Sequence, residues 1–287
     1  MPLRLAVVAD IHHGAPSLTK RGDAAGRLME EFARFAADQG ADRVLDLGDR
    51  ISDIDHDTDL RLERDVAEMF RALPVPAWHL NGNHDRDHLS VAENEQILGT
   101  SLGHEVHDID GWRILLWRAD SKIRRDGPIS FDLPEADFLW LAAQMHRADR
   151  PVLIASHVPV SGHSQIGNYY FERNPAISTY PQADRVRAAL GQARVPVVCL
   201  SGHVHWNTVT TVGGITHLTQ QSLTESFTTG GEPAAAMGIL ELRPDGLNWQ
   251  VMGEDPFAFS TSLDARRWVP PLPPFNEVAS LRRFTEG

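Results

Sequence analysis

Near the N-terminus the sequence reads Leu3-Arg-Leu-Ala-Val-Val-Ala-Asp-Ile-His12, a short apolar run that ends in polar residues. A run of this length is typical of a buried β-strand. Helix and strand patterns alternate after it: an amphipathic helix around 28–35, a strand over 43–47, a second helix around 66–73 and a strand over 75–80. Because parallel strands need crossover connections, this β-α-β-α-β order predicts a parallel sheet covered by helices.

The rest of the chain is predicted to add strands and helices to the same domain. Asp110-Gly111 is a turn pair that predicts a β-hairpin, and Pro134 predicts the start of a helix. A domain over residues 1–253 is expected, followed by a Pro-rich tail over 254–287 that packs extended on the domain or on a partner subunit. The remaining predicted elements are strands over 152–155, 197–200, 208–212, 215–218, 237–242 and 247–251, and a helix over 183–190.

The composition excludes several classes of protein. The 287 residues include 39 acidic and 27 basic side chains, for a formal net charge of −12, and 42% are apolar, which is enough for a substantial core. The acidic surplus argues against binding of long nucleic acids through a basic face. The single cysteine, Cys199, excludes an intramolecular disulfide framework. With no leader-like segment and no apolar run of roughly 20 residues, the sequence predicts a cytoplasmic protein that does not enter a membrane.

Polar side chains directly follow five of the predicted strands. In α/β sheets the ligand crevice lies outside the carboxyl ends of the strands, so these segments can converge on one site. Their donor atoms are oxygen and nitrogen without sulfur, which suits Mn, Fe or Zn rather than Ca or a thiolate-bound structural zinc. The segments are Asp10-Ile-His12, Gly48-Asp49-Arg-Ile-Ser-Asp53, Asn81-Gly-Asn83-His84-Asp85, Ser156-His157 and Ser201-Gly202-His203-Val-His205.

Each segment also has an ordinary structural interpretation. Asp-x-His occurs by chance, and Gly-Asp at a strand end is usually a turn. Gly-Asn-His-Asp can be a turn with a helix cap, and a single histidine such as His157 is more often a core residue than a ligand. All five explanations would have to hold together, each after a strand. The ordered set therefore favours a metal site.

In this order the segments resemble the signature of the calcineurin-like metallophosphoesterase superfamily, over residues from about 3 to 210. The resemblance implies an α/β fold, a four-layer αββα sandwich with two mixed sheets, and a two-metal site. It also implies a catalytic histidine, His84, beside the scissile phosphate. The implied ligands are Asp10, His12, Asp49 and His205 for one metal, and the bridging Asp49 with Asn83, His157 and His203 for the other.

The chemistry of such a site is phosphoester hydrolysis. Two metal ions roughly 3.5–4 Å apart can share a hydroxide and clamp both the attacking and the leaving oxygen of an in-line displacement. They also lower the pKa of bound water and neutralise charge on the phosphate. In this scheme His84 donates a proton or hydrogen bond to the leaving-group oxygen, and Asp85 orients His84.

Within the superfamily, the length, the motif spacing and the helix after Pro134 are most similar to bacterial cyclic-nucleotide and glycerophosphodiester phosphodiesterases. Two residues depart from the usual pattern without changing the ligands. Arg50 follows the bridging Asp49, and Ser156 precedes His157 where another histidine is common. Arg50 is assigned to substrate binding.

The segment 158–180 is too long and aperiodic for an ordinary connection, and it contains all three tyrosines of the chain. One interpretation is a lid that stacks a base or sugar and brings an arginine to a phosphate. The other is a loop packed on itself or in a homo-oligomer interface. The segment 220–231 is a second candidate rim. The candidate substrate-binding residues of the first segment are His163, Tyr169, Tyr170 and Arg173.

The leading hypothesis is a binuclear metal-dependent phosphodiesterase that acts on small phosphodiesters such as cyclic nucleotides or glycerophosphodiesters. A metal-dependent phosphomonoesterase is the nearest alternative, because the sequence does not show whether the site admits a second ester group. A metal-stabilised scaffold without catalysis is a third interpretation. A nuclease for long DNA or RNA is disfavoured, because the chain is acidic and has no basic cluster with interleaved aromatic residues.

Overall fold

The computed structural model of the chain describes residues 2–162 and 165–268. Its α-helices are α1 (Ala25–Asp38), α2 (His56–Arg71), α3 (Val91–Leu98), α4 (Glu135–Arg147) and α5 (Ala183–Leu190). Its strands are β1 (Leu3–Val8), β2 (Arg43–Asp46), β3 (Ala77–His79), β4 (Glu105–Ile109), β5 (Trp112–Leu116), β6 (Ile123–Arg124), β7 (Ser130–Phe131), β8 (Val152–Ser156), β9 (Val197–Ser201), β10 (Thr208–Val212), β11 (Ile215–Thr219), β12 (Met237–Arg243), β13 (Gly246–Met252) and β14 (Phe257–Ser262).

The first sheet contains the predicted β-α-β-α-β unit. Its strand order is β14-β13-β12-β1-β2-β3, with β1, β2 and β3 parallel and β12 antiparallel to β1. Helices α1 and α2 cover its outer face, where Phe32 and Phe70 pack with Val8 and Val44. The 3.6-residue spacing of the apolar side chains on both helices therefore serves to cover this face.

The predicted hairpin, formed by β4 and β5, lies at one edge of the second sheet. The strand order of this sheet is β10-β11-β9-β8-β5-β4, with β5, β8, β9 and β11 running parallel. Helices α4 and α5 pack on its outer face through Leu141 and Val186, beside Ile154 and Cys199. Burial raises the pKa of the Cys199 thiol to about 12, which agrees with a packing role for this residue.

The inner faces of the two sheets meet in a shared core. Leu5 and Trp249 of the first sheet pack in one cluster with Trp112, Leu200 and Leu218 of the second, all almost fully buried. Burial of each such side chain stabilises the fold by roughly 1.5–3 kcal/mol. The layers therefore run helix, sheet, sheet, helix, which confirms the predicted αββα sandwich.

Four elements were not predicted from the pattern: helix α3, strand β14 and the short strands β6 and β7, which pair with each other. Strand β14 pairs with β13, so the first sheet continues beyond the predicted domain boundary at residue 253. Helix α3 begins with a capping box in which the Ser90 side chain accepts from the Glu93 N–H and Glu93 accepts from the Ser90 N–H. The Pro-rich stretch 269–287 of the predicted tail lies outside the described residues. None of the described helices is long and apolar enough to span a bilayer.

Candidate metal centre

The predicted segments meet where β1, β2, β3, β8 and β9 end. The chain leaves these strands sharply, and five of the candidate ligands have a left-handed backbone. Their φ angles are 52° for Asp10, 47° for His12, 56° for Asp49, 70° for His203 and 57° for His205. Non-glycine residues in this region cost energy and are concentrated at functional sites. The fold therefore holds the backbone of these five residues in a conformation that is unfavourable for residues other than glycine.

The donor atoms of these residues form three overlapping groups. Within each group one ligand atom of every residue lies within 4.8 Å of the others. Asp49 belongs to two of the groups and connects them, as a bridging ligand would. The groups are Asp10 with His12 and His205, Asp49 with His157 and His203, and His12 with Asp49 and His84.

The first group is arranged around His205. Its Nε2 lies 3.4 Å from Asp10 Oδ1 and 3.0 Å from His12 Nε2. Its Nδ1 lies 3.3 Å from Glu225 Oε2, on the opposite side of the ring. Burial acts to lower the pKa of His205, but Asp10 and Glu225 outweigh it and raise the pKa to about 9. This carboxylate–imidazole arrangement is one that orients metal-binding histidines.

The second group is arranged around Asp49. His157 Nδ1–H donates to the Leu47 carbonyl at 2.8 Å, which turns Nε2 toward Asp49 Oδ2 at 3.4 Å. The same Nε2 lies 3.3 Å from Asn83 Oδ1, so the predicted amide ligand also reaches the site. His203 Nε2–H donates to the Ile177 carbonyl at 2.6 Å, which leaves Nδ1 for the site. These backbone bonds select the ring nitrogens that face the centre.

The donor set fits metal ions of the predicted kind. It offers carboxylate oxygens, imidazole nitrogens and one amide oxygen without sulfur, all buried, and three of its four histidines, His157, His203 and His205, have an oxygen acceptor on the outer nitrogen. Burial, reinforced by neighbouring His157, lowers the pKa of His203 to about 3, so this imidazole is neutral and able to bind a metal. The structure thus brings together all seven predicted ligands.

His84 stands at the edge of the donor set. Its backbone N–H donates to Asp49 Oδ1 at 2.8 Å, and its ring meets that of His12 edge-on at 4.7 Å between centroids. Its Nδ1 contacts the carboxylate of Asp53. Asp53 closes the predicted Gly48–Asp53 motif, but the sequence did not assign it a role.

Asp85 does not contact the His84 ring, and the prediction that it orients His84 is wrong. Its carboxylate instead accepts hydrogen bonds from the backbone N–H groups of Asp49, Arg50 and Gly82, each at 2.8 Å. The two residues are adjacent in a tight helical turn, so their side chains point apart. Asp85 joins the loop after β2 to the loop after β3 and so fixes the backbone of Asp49.

Arg50 does not reach the substrate side of the site, so its assignment to substrate binding is also wrong. Its side chain is fully buried. Nε donates to Glu63 Oε1 at 2.7 Å, Nη1 to Asp46 Oδ2 at 3.0 Å and Nη2 to Asn81 Oδ1 at 2.7 Å. The chain turn that directs Asp49 toward the metal centre directs Arg50 back toward α2, which carries Glu63.

A cavity of about 560 Å³ adjoins the donor set. Of the predicted substrate-binding residues, Tyr169, Tyr170 and Arg173 line it, while His163 lies outside the described residues. The Tyr169 hydroxyl donates to Glu225 Oε2 at 2.6 Å, and its ring stacks on Phe227 at 4.8 Å between centroids. Both predicted rim segments therefore approach the centre. The remaining lining includes Thr19, Lys20, Ile123, Arg125, Ile129, Phe171 and Ile177.

Glu225 and Lys20 contact the candidate ligands His205 and His12, although no motif in the sequence predicts them. Glu225 lies inside the predicted rim 220–231 and contacts His205, but nothing in its local pattern marks it. Lys20 follows the first ligand segment by eight residues, and its Nζ lies 3.2 Å from His12 Nδ1. Its signal was its residue type, because the chain has only one other lysine, Lys122.

Known proteins share this fold and these sequence features. The calcineurin-like phosphoesterase profile matches residues 3–207. A dimetal phosphatase from Danio rerio is similar with a TM-score of 0.73 at 16% identity, covering 92% of this chain and 100% of that one. A purple acid phosphatase from seeds of yellow lupin (Lupinus luteus) has a TM-score of 0.62 at 12% identity, covering 91% of this chain and 54% of that one. Comparison with curated proteins found no match.

Because these solved structures are distant in sequence, they establish the fold and nothing beyond it. The sequence profile covers most of the chain, including every candidate ligand. This family points to metal-dependent hydrolysis of phosphoric esters, and the buried donor set around Asp49 fits that chemistry. The chain belongs to the calcineurin-like phosphoesterase family.

Proposed function

We propose that this protein is a metal-dependent phosphodiesterase that hydrolyses small phosphodiesters. The observation that carries the proposal is the cavity of about 560 Å³ beside the donor set. Its walls come from three separate segments, 19–20, 123–129 and 169–177, which can contact both ester groups of a bound diester. A cavity of this size is typical of sites for small organic molecules.

We propose that the site binds two metal ions and that these are Mn, Fe or Zn. The shared position of Asp49 in two donor groups supports its role as the bridging ligand. When bound, the ions supply Lewis acidity, a water of lowered pKa and compensation of phosphate charge. The residues proposed to hold them are Asp10, His12, Asp49 and His205 at one position, and Asp49, Asn83, His157 and His203 at the other.

His84 is proposed as the general acid. It lines the cavity, and Asp53 contacts its Nδ1, so Nε2 is the ring nitrogen available to the ester. As the bond to the leaving group breaks, Nε2–H gives its proton to the departing oxygen. Asp53 keeps the His84 ring correctly oriented. The hydrogen bond from the His84 backbone N–H to Asp49 fixes the distance between His84 and the donor set.

Small substrates are favoured over polymers. The net charge of −12 opposes association with long nucleic acids, whereas Lys20, Arg125 and Arg173 line the cavity and attract a small anion there. The apolar wall, which includes Ile123, Ile129 and Phe171, suits an organic ester group. That the substrates are cyclic nucleotides or glycerophosphodiesters stays a prediction. The cytoplasmic location and self-association of the protein also stay predictions.

A phosphomonoesterase is the second candidate. Among the described residues, Lys20 and Arg173 have no ion-pair partner although both line the cavity. A phosphate monoester carries up to two negative charges where a diester carries one, so unpaired cations favour it.

The test compares substrates on Mn-loaded protein before and after chelation. We expect hydrolysis of bis(p-nitrophenyl) phosphate or cyclic AMP with a higher kcat/KM than that of p-nitrophenyl phosphate, and loss of all activity with the chelator. A preference for the monoester would favour the second candidate. Inactivity toward all three compounds with Mn, Fe and Zn would overturn the enzyme proposal in favour of a non-catalytic scaffold.

A further inference from the structure

Lys20 is a cation inside the cavity that is neither a candidate metal ligand nor the proposed general acid. Its half-buried side chain lines the cavity, and Nζ lies 3.2 Å from His12 Nδ1. Four carboxylates act electrostatically on this ammonium, and all of them belong to the site: Asp10, Asp49, Asp53 and Glu225. The charge of Lys20 therefore lies beside the candidate ligand His12 and among carboxylates of the site.

Backbone hydrogen bonds hold Lys20 in this place. It forms an antiparallel bridge with Glu225. The Arg21 N–H donates to the Thr224 carbonyl at 2.8 Å, and the Ser226 N–H donates to the Thr19 carbonyl at 2.9 Å. The segment that carries Lys20 is thus paired with the segment whose carboxylate contacts His205. A change in the position of Lys20 would require these bonds to break.

The residue type at position 20 is unusual for this chain. Of the 27 basic residues two are lysines, Lys20 and Lys122, and the others are arginines. Lys122 is exposed and does not line the cavity. An ammonium is a compact point charge that can approach a single phosphoryl oxygen, whereas a guanidinium is wide and planar. The small cation is therefore found where a basic side chain contacts a candidate ligand, His12.

The hydrogen-bonding capacity of Lys20 is not used up by the protein. An ammonium has three donors, and among the described residues its one side-chain contact is with His12 Nδ1. His12 Nε2 faces His205 and Asp49 in the donor set. A neutral imidazole that offers Nε2 to a metal carries its proton on Nδ1 and cannot accept from an ammonium there. Lys20 then needs another acceptor, and the cavity is where one can bind.

We propose that Lys20 is a substrate-binding residue whose ammonium donates to a non-bridging oxygen of the phosphate. This inference rests on the proposed function, because it assumes that the phosphate binds at the donor set. The contact strengthens as negative charge builds up on the phosphoryl oxygens, so Lys20 favours the transition state over the ground state.

The test measures binding of inorganic phosphate to the Mn-loaded protein by calorimetry, together with kcat/KM on bis(p-nitrophenyl) phosphate. Lys20→Met removes the charge, Lys20→Arg restores it in a wider group, and Lys122→Met is the matched control at the other lysine. Metal content and thermal midpoint are measured for each variant to show that the centre and the fold are intact. Phosphate binding does not depend on turnover, so it separates this inference from the proposed function.

We expect wild type and Lys122→Met to bind phosphate equally. Lys20→Met should bind it at least about tenfold more weakly and lose at least about tenfold in kcat/KM, with its metal content unchanged. Lys20→Arg should recover part of the affinity. Equal phosphate affinity in Lys20→Met and wild type would overturn the inference. Absence of phosphate binding to metal-loaded wild type would also overturn it, whatever the turnover. Loss of metal from both Lys20 variants would show that the residue supports the centre instead, and would equally contradict it.

Discussion

The carboxylate of Asp53 contacts Nδ1 of His84 at the edge of the donor set. Although burial acts to raise the pKa of Asp53, its contact with His84 lowers the pKa to about 2, so it is ionised at neutral pH. Asp53→Asn keeps the size of the side chain but removes its charge. We expect kcat on a diester to fall at least about tenfold with metal content unchanged, because a misoriented general acid transfers its proton poorly.

The control for this variant is Asp57→Asn, since the Asp57 side chain is 97% exposed and lies on α2 outside the cavity. It should leave kcat unchanged. His84→Ala should lose at least as much kcat as Asp53→Asn and should also keep its metals. If Asp53→Asn retains wild-type kcat, Asp53 has no part in orienting the ring.

Arg50 provides a prediction about stability. Its guanidinium is buried among the carboxylates of Asp46, Glu63 and Asp85. Arg50→Met would leave these groups without their cation, which costs about 3–5 kcal/mol for a buried pair. The free energy of unfolding, measured with denaturant, should fall by that amount. Arg27→Met removes an exposed pair with Glu31 and should change it by less than about 1 kcal/mol. An equal change in both variants would contradict the structural role of Arg50.

The ligands could be predicted from sequence because each directly follows a strand, where position along the chain determines position in space. The direction of a side chain is a different matter. Asp85 and Arg50 are next to His84 and Asp49 in sequence, yet both point away from the cavity. Glu225 and Lys20 reach the site through pairing between distant segments, and no local pattern records such pairing.

At the scale of structural elements, the loops after β2 and β3 touch without space between them. A Cβ atom placed on Gly82 would lie 2.0 Å from Asp49 Oδ1 and 2.4 Å from its backbone nitrogen. Gly82→Ala should therefore displace Asp49 and lower the metal content, as measured by elemental analysis. Gly103→Ala is the control, because its nearest neighbour is the Ser101 hydroxyl at 3.6 Å. Full metal content in Gly82→Ala would show that the loops can separate without loss of the centre.

Elements with a strong apolar period were predicted well, and short amphipathic ones were not. Helices α1 and α4 and the buried strands β8 and β9 repeat or concentrate apolar residues. Strand β14 alternates half-buried and exposed residues at the sheet edge, so its apolar content did not distinguish it from a tail. Helix α3 is short, and its capping box was its clearest mark. Such elements form because the sheet or a neighbouring helix provides a surface to pack on.

At the scale of the whole molecule, the histidines of the centre make stability depend on pH. Burial acts to lower the pKa of His157, but Asp49 outweighs it and raises the pKa to about 9, like that of His205. Unfolded histidine titrates near 6.5. A raised folded pKa contributes stability that is complete below the unfolded pKa and is lost as pH rises through the folded pKa. The metal-free protein should therefore lose stability between about pH 6.5 and 9.

Metal ions compete with these protons, so the loaded protein should behave differently. Its thermal midpoint relative to the chelated protein should increase over the same pH range, since ligands must be deprotonated to bind. Thermal melts of chelated and Mn-loaded protein at several pH values give both slopes. A chelated protein whose midpoint does not change from pH 6.5 to 9 would contradict the assignment of charged imidazoles to this site.

The most direct measurement counts the metal ions bound per chain by elemental analysis after supplementation with Mn, Fe or Zn. Wild type should hold two, and Asp49→Ala should hold none, because Asp49 is the proposed bridging ligand and its carboxylate lies within 4.8 Å of a donor atom of His12 as well as of His157 and His203. Asp57→Ala should hold two as wild type does. Two ions retained in Asp49→Ala, or none in wild type with every metal, would contradict a binuclear centre built on the strand ends.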